Sequence, residues 1–223
     1  MTEFQMWIDA LNSANPAERI AAINQLEAAQ HVPAARHVAT VLRADDDAGV
    51  RFQAAQALAK FADPTTVPDL LFALREDDLW VRVAATEGLI RIGSASVEGL
   101  LTALNHQNRA VRRASAKALG KIGDDRAVTG LRAALLDSDM DVRRFAAQAI
   151  GRIGSEETVD ALSDALRDDS DKVRKAAAGA LVAIGQPSIP ALLEALDDPE
   201  PRVAIIAVVA LREIGYTPPE EAQ

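Results

Sequence analysis

The stretch Asp139-Met140-Asp141-Val142-Arg143-Arg144-Phe145-Ala146-Ala147-Gln148-Ala149-Ile150-Gly151-Arg152-Ile153-Gly154 reads as one amphipathic helix with a marked start and a marked stop. Val142, Ala146, Ala149, Ile150 and Ile153 stand at offsets 0, 4, 7, 8 and 11. At about 100° per residue these positions share one helical face, so the pattern is helical and not a strand alternation. Asp139 is a residue type whose side-chain oxygen caps helix N-termini. Gly154 supplies the residue that most readily takes a left-handed conformation just past a helix end.

The same signature returns along the chain. Valine followed by arginine recurs at Val50, Val81, Val111, Val142 and Val173, with a degenerate copy at Val203, where Arg202 comes before the valine; the spacings are 31, 30, 31, 31 and 30. Isoleucine followed by glycine marks the segment's end at Ile92, Ile122, Ile153, Ile184 and Ile214. Leu74, Leu104, Leu135, Leu166 and Leu196 stand seven residues before the valines. Cap-type residues Asp47, Asp78, Asn108, Asp139 and Ser170 stand three before them. Each repeat therefore contains a second helix B, preceded by a helix A that starts after Asp63, Ser94, Asp124 or Ser155 and carries Val67, Leu70, Leu71 and Leu74 or their equivalents. Phe4, Trp7, Ile8 and Leu11 fit helix A of a first repeat, with Glu18 through Leu26 in its helix B. The expected fold is an all-α, right-handed α-solenoid of about seven two-helix repeats. Their bounds are about 2–29, 30–62, 63–93, 94–123, 124–154, 155–185 and 186–215, with a short tail at 216–223. One repeat cannot bury its own apolar face, so 1–215 is expected to fold as a single body.

Composition agrees. Aromatic residues make up only 4% against 49% hydrophobic residues in total, which suits small side chains between closely packed helices. The 26% of charged residues excludes a membrane-embedded chain, and no apolar run approaches the roughly 20 residues a span needs. The N-terminus has no basic segment before an apolar one, so no secretory signal is expected. Without cysteine there is no disulfide, thiolate metal site or thiol nucleophile, which fits a cytoplasmic protein. The net charge of −9 disfavours nucleic acid as a partner.

Helix B, with its Asp-x-x-Val-Arg-x-x-Ala-Ala pattern at 139–154 and less closely at 108–123, resembles the HEAT-like repeat named after the phycobilisome lyases. The resemblance covers roughly residues 3–215. Proteins of this type include bilin lyase subunits, phycobilisome-handling factors, an iron-dependent peptidyl hydroxylase and bacterial adaptors. The resemblance implies that helix B faces line a concave binding surface. It also implies that Arg51, Arg82, Arg112, Arg143 and Arg174 brace neighbouring repeats; the last repeat departs, with Ala204 at that position.

Little in the chain suggests catalysis. The hydroxylase relatives bind iron through His-Glu pairs, whereas His31, His37 and His106 are followed by Val32, Val38 and Gln107. No metal site, cofactor or catalytic residue is expected. The acidic clusters around Asp45-Asp46-Asp47, Glu76-Asp77-Asp78, Asp168-Asp169 and Asp197-Asp198 lie in the turns between helices A and B, as caps and solvated charge. More informative is the outward face of helix B. Arg91, Arg113, Lys117, Lys121, Arg144, Arg152 and Lys175 form a basic block there, flanked by Phe52 and Val83 on one side and by Ile205 and Val209 on the other. These residues are the expected partner-binding site, suited to a protein with an acidic segment. The final helix B, from Val203 to Leu211, is uncharged over nine residues, so a homodimer through the C-terminal repeat is one way to cover it. The functional expectation is thus a non-catalytic interaction scaffold or adaptor. The alternative, carried by the resemblance, is a bilin lyase-like or phycobilisome-handling subunit, whose tetrapyrrole propionates could pair with Arg113 and Arg144.

Overall fold

A computed structural model describes residues 2–217; most of the expected tail, 218–223, lies outside the described residues. The fold is an all-α solenoid of paired helices, and no strand occurs among the described residues. The chain falls into two compact units, Met1–Ala118 and Leu119–Gln223.

The first unit holds α1 (Glu3–Ala10), α2 (Pro16–Ala28), α3 (Ala35–Ala44), α4 (Ala48–Phe61), α5 (Val67–Ala73), α6 (Leu79–Ile92), α7 (Val97–Ala103) and the first part of α8 (Arg109–Ile122). Within it α2 packs on α4 and α4 on α6, while α3, α5 and α7 form a second row. The second unit holds the end of α8, then α9 (Val128–Ala134), α10 (Met140–Ile153), α11 (Val159–Asp164), α12 (Asp171–Ile184), α13 (Ile189–Glu194) and α14 (Pro201–Ile214). There α10 packs on α12 and α12 on α14. The even-numbered helices are the B helices of the sequence pattern. No helix is long and apolar enough to cross a membrane among the described residues.

The B helices begin where cap chemistry requires. The Asp47 carboxylate accepts from the Val50 amide at 3.0 Å, Asp78 accepts from Trp80 and Val81, and Asp139 from Asp141 and Val142. Each such cap stabilises its helix by about 1 kcal/mol. Ser170 holds the same position but makes no side-chain cap bond. The A helices differ from expectation. The cap-type residues Asp63, Asp124 and Ser155 open 3-10 turns at Pro64–Thr66, Asp125–Ala127 and Glu156–Thr158, and Ser94 lies inside the turn Gly93–Ser96. The α-helical part of helix A starts only at Val67, Val97, Val128 or Val159 and is six or seven residues long. A 3-10 turn closes with i→i+3 bonds, so it reverses the chain over fewer residues than an α turn.

The Ile-Gly ends also divide. Gly154 and Gly215 take the left-handed conformation, but Gly93 (φ 73, ψ −132) and Gly185 (φ 81, ψ −134) take one that only glycine enters readily. At α14 the Tyr216 amide donates to the Leu211 carbonyl at 2.9 Å, a Schellman closure. The core is a thin layer of leucine, valine and alanine, with Leu58, Leu70 and Leu89 fully buried in the first unit and Leu131, Ile150 and Leu162 in the second. In the second unit the helix crossings are close. A Cβ built on Gly120 would lie 2.7 Å from Ala149 Cα, and one on Gly151 would lie 2.7 Å from Ala180 Cα.

Candidate functional site

The turns between helices A and B are occupied by a structural clamp. The Nη1 of Arg51, Arg112, Arg143 and Arg174 donates to the carbonyls six and five residues upstream, in the turn that follows the preceding A helix; Arg82 does the same with Glu76 and Asp77. Some of these arginines also reach the next repeat. Arg143 donates to Asp168 through Nε at 2.6 Å and Nη2 at 3.0 Å, and Arg51 meets Glu76 at 3.1 Å. In the first repeat Arg19 plays the part, with two bonds of 2.7 Å to Asp45. Arg174 instead turns to Asp171 on its own helix at 3.3 Å.

This clamp accounts for the acidic clusters more fully than capping and solvation do. Asp47 caps and Asp46 is 97% exposed, but Asp45 and Asp168 are half-buried acceptors of arginine. Burial opposes their charged forms; the Arg19 or Arg143 hydrogen bond, with the amides of Asp47 or Ser170, outweighs it and holds both carboxyls below their ordinary value. The signal was present in the sequence as an acid five residues before most of the valines: Asp45, Glu76, Asp137, Asp168 and Asp198. In the fourth repeat His106 stands there, and its Nδ1 accepts from the Asn108 amide at 3.0 Å as the acids do in their turns. His31 stacks on Phe4 with ring centroids 4.0 Å apart. Among the described residues no group of three or more His, Asp or Glu is arranged to hold a metal ion.

The outward face of the B helices is uneven. In the first unit Phe52 and Arg113 are half-buried, Val83 and Lys117 are exposed, and Arg91 is exposed but paired with Glu87 at 3.2 Å. In the second unit Arg144 is half-buried, paired with Asp141 at 2.9 Å and seated 4.1 Å over the Phe145 ring. It is therefore engaged by its own helix. Lys121 and Arg152 are exposed. Lys175 is exposed and paired with Asp171 at 2.8 Å, which holds the Asp171 carboxyl below its ordinary value. Ile205 is 64% exposed and Val209 50%.

Between α10 and α12 lies an open hollow of about 330 Å³, lined by Gln148, Gly151, Arg152, Lys175, Gly179 and Ala183 among others. Its origin is local. Gln148 and Arg152 on α10 correspond, 31 residues on, to Gly179 and Ala183 on α12, where the side chains are truncated. A Cβ built on Gly179 would meet nothing within 4 Å. Gly151 brings the two backbones together beneath, so the hollow has a small-residue floor and two cations at its edge.

Paired short helices, an arginine clamp between repeats and a glycine ending each B helix from α6 onward define a HEAT-repeat protein. The chain belongs to that family: its HEAT-repeats model matches residues 4–90, 68–144 and 129–212. It is similar to the phycocyanin alpha phycocyanobilin lyase CpcF of Synechocystis sp., with 37% identity over 83 residues, or 37% of this chain and 39% of that protein. It is also similar to the phycocyanobilin lyase subunit beta of Pseudanabaena tenuis, with 35% identity over 83 residues, 37% of this chain and 29% of that protein. The chain thus matches well under half the length of these curated relatives. Among solved structures, the complex of CpcE and CpcF of phycocyanin lyase from Nostoc sp. resembles it at TM-score 0.56 and 25% identity, over 66% of this chain and 99% of that one.

These likenesses overturn two expectations. The non-catalytic scaffold or adaptor, and with it the expectation that the chain is not an enzyme, gives way, because the matched relatives are named as a phycocyanobilin lyase and a lyase subunit. The physical reason for the error is that the repeat pattern records helix packing, which an adaptor and a lyase subunit share.

Proposed function

We propose that this chain works as a bilin lyase-type subunit, binding an open-chain tetrapyrrole and presenting it to an acceptor protein together with a second subunit. The observation that carries the reading is the 37% identity to CpcF over 83 residues. The likeness to the CpcE–CpcF complex supports a protein partner. The chain contains no cysteine, so none of its own side chains forms a thioether with the pigment. Its contribution is to hold and orient the pigment, which lowers the barrier by removing rotational and translational freedom before the covalent step. In the second unit Lys121, Arg152 and Lys175 supply positive charge for the pigment's carboxylates, and Ile205 and Val209 supply apolar contact.

The test has two stages. Phycocyanobilin titrated into the protein should give a saturable change in visible absorption and an induced circular dichroism. Adding the protein and its partner subunit to phycocyanin alpha apoprotein and bilin should speed formation of the covalent adduct, read as bilin fluorescence on a denaturing gel. An unchanged bilin spectrum together with an unchanged rate of adduct formation would overturn the reading.

A further inference from the structure

We infer that the hollow between α10 and α12 is the pigment's anchoring site: it takes a flat, largely apolar ligand carrying two carboxylates. The inference rests on the lyase-type reading and locates it on named residues. Three observations within the second unit converge. The first is shape. Gly179 and Ala183 leave space where α10 carries Gln148 and Arg152, and the result is a shallow hollow of about 330 Å³, near the lower end of the range for small-ligand sites. The floor is Gly151, Ala176, Gly179 and Ala180, so a planar ring system meets backbone and methyl groups and no bulky side chain.

The second observation is charge. Arg152 and Lys175 stand at the edge of the hollow, one on each helix. Arg152 has no carboxylate partner among the described residues, and Lys175 makes an exposed pair with Asp171 at 2.8 Å while its side chain stays 73% exposed. Arg144, which the sequence places in the same row, is turned onto Asp141 and Phe145. Two cations therefore face the hollow, and they match two carboxylates on one ligand.

The third observation is the neighbouring helix. Lys175 and Gly179 on α12 correspond, 30 residues on, to Ile205 and Val209 on α14, which packs against α12. Both are at least half exposed. The hollow thus opens beside an apolar strip, where the hydrocarbon edge of the ligand is removed from water while its carboxylates stay at Arg152 and Lys175. A simple anion would have no use for the strip, and a neutral apolar ligand none for the cations.

The experiment compares wild type with Gly179→Leu and with the double variant Arg152→Ala/Lys175→Ala, using phycocyanobilin and its dimethyl ester as probes. A leucine at 179 meets no atom near its Cβ and sits in a helix interior, so folding is preserved and checked by far-ultraviolet circular dichroism. Gly179→Leu is expected to weaken phycocyanobilin binding at least about tenfold, because it fills the hollow. The double variant is expected to weaken the free acid about five- to tenfold and the ester hardly at all, as exposed ion pairs contribute modestly. If wild type binds phycocyanobilin while Gly179→Leu binds it equally well, the anchoring site is wrong and the lyase-type reading stands. If the ester and free acid respond alike to the double variant, the charge argument is wrong and the inference falls. If wild type does not bind the bilin at all, the lyase-type reading fails and takes the inference with it.

Discussion

Two glycines in the interiors of consecutive B helices should respond in opposite ways to the same substitution. Gly151 lies in α10 and Gly179 in α12, both in helix interiors, so replacing either by alanine removes the same backbone-entropy penalty, about 1 kcal/mol in favour of the helix. Only the surroundings differ. A Cβ on Gly179 meets nothing within 4 Å, so Gly179→Ala should raise stability by about 0.5–1 kcal/mol. A Cβ on Gly151 would fall 2.7 Å from Ala180 Cα and 2.9 Å from its Cβ. Carbon atoms pack favourably at about 3.5–4.0 Å, so α10 and α12 would have to part by about 1 Å. Overpacking of this kind costs about 1–3 kcal/mol, and both faces of the crossing are backbone or methyl, with no flexible side chain to move aside. After the propensity gain, Gly151→Ala should lose up to about 2 kcal/mol. The propensity gain is common to both variants, so they should differ by the overpacking cost, about 1–3 kcal/mol, which for a chain of this size is about 2–12 °C in Tm. Thermal and urea unfolding followed by far-ultraviolet circular dichroism, with both variants measured side by side, checks this. Gly151→Ala as stable as Gly179→Ala would refute the close approach of α10 and α12, and with it the floor of the hollow.

Further expectations follow from the arginine clamp. Asp168→Ala removes both acceptors of Arg143 and the bond to the Ser170 amide, and should cost about 1.5–3 kcal/mol in chemical denaturation; a loss below about 0.5 kcal/mol would mean the pair is solvated in practice. Asp45 and Asp168 have folded values below their unfolded ones, so their stabilisation is complete above about pH 4 and is lost as pH falls through the folded values. Tm measured from pH 6 to pH 2 should therefore drop steeply below about pH 4, and Asp168→Asn should flatten part of that drop. His106→Asp should restore the acid that Arg82 lacks while still accepting from the Asn108 amide, raising stability by about 0.5–1.5 kcal/mol; a lower Tm would show that the imidazole does something an aspartate does not.

The ladders of valine, leucine and isoleucine-glycine made the helix pairs legible without coordinates, because each apolar position is dictated by its own helix's period of 3.6 residues. Caps such as Asp47, Asp78 and Asp139 were legible for the same reason, since a cap bonds amides two or three residues away. The A helices were read as α from their first residue, and the chain instead makes a 3-10 turn first, because nothing local distinguishes the two over three residues. The clamp was half legible: the arginine was visible, but its acid lies about 25 residues away on the next repeat, as with Arg143 and Asp168.

The candidate site shows the division most clearly. The sequence alone determined the fold class and the pairing of helices, since both depend on local periodicity. It treated Arg144, Arg152 and Lys175 as equal members of a row. Only the tertiary structure decided that Arg144 is held by Asp141 and Phe145 while Arg152 stays open to solvent at a hollow. It also decided that Gly151 closes a helix crossing while Gly179 opens a space. Neither contact is visible along the chain, because close packing depends on what the neighbouring repeat places opposite, and that neighbour lies some thirty residues away.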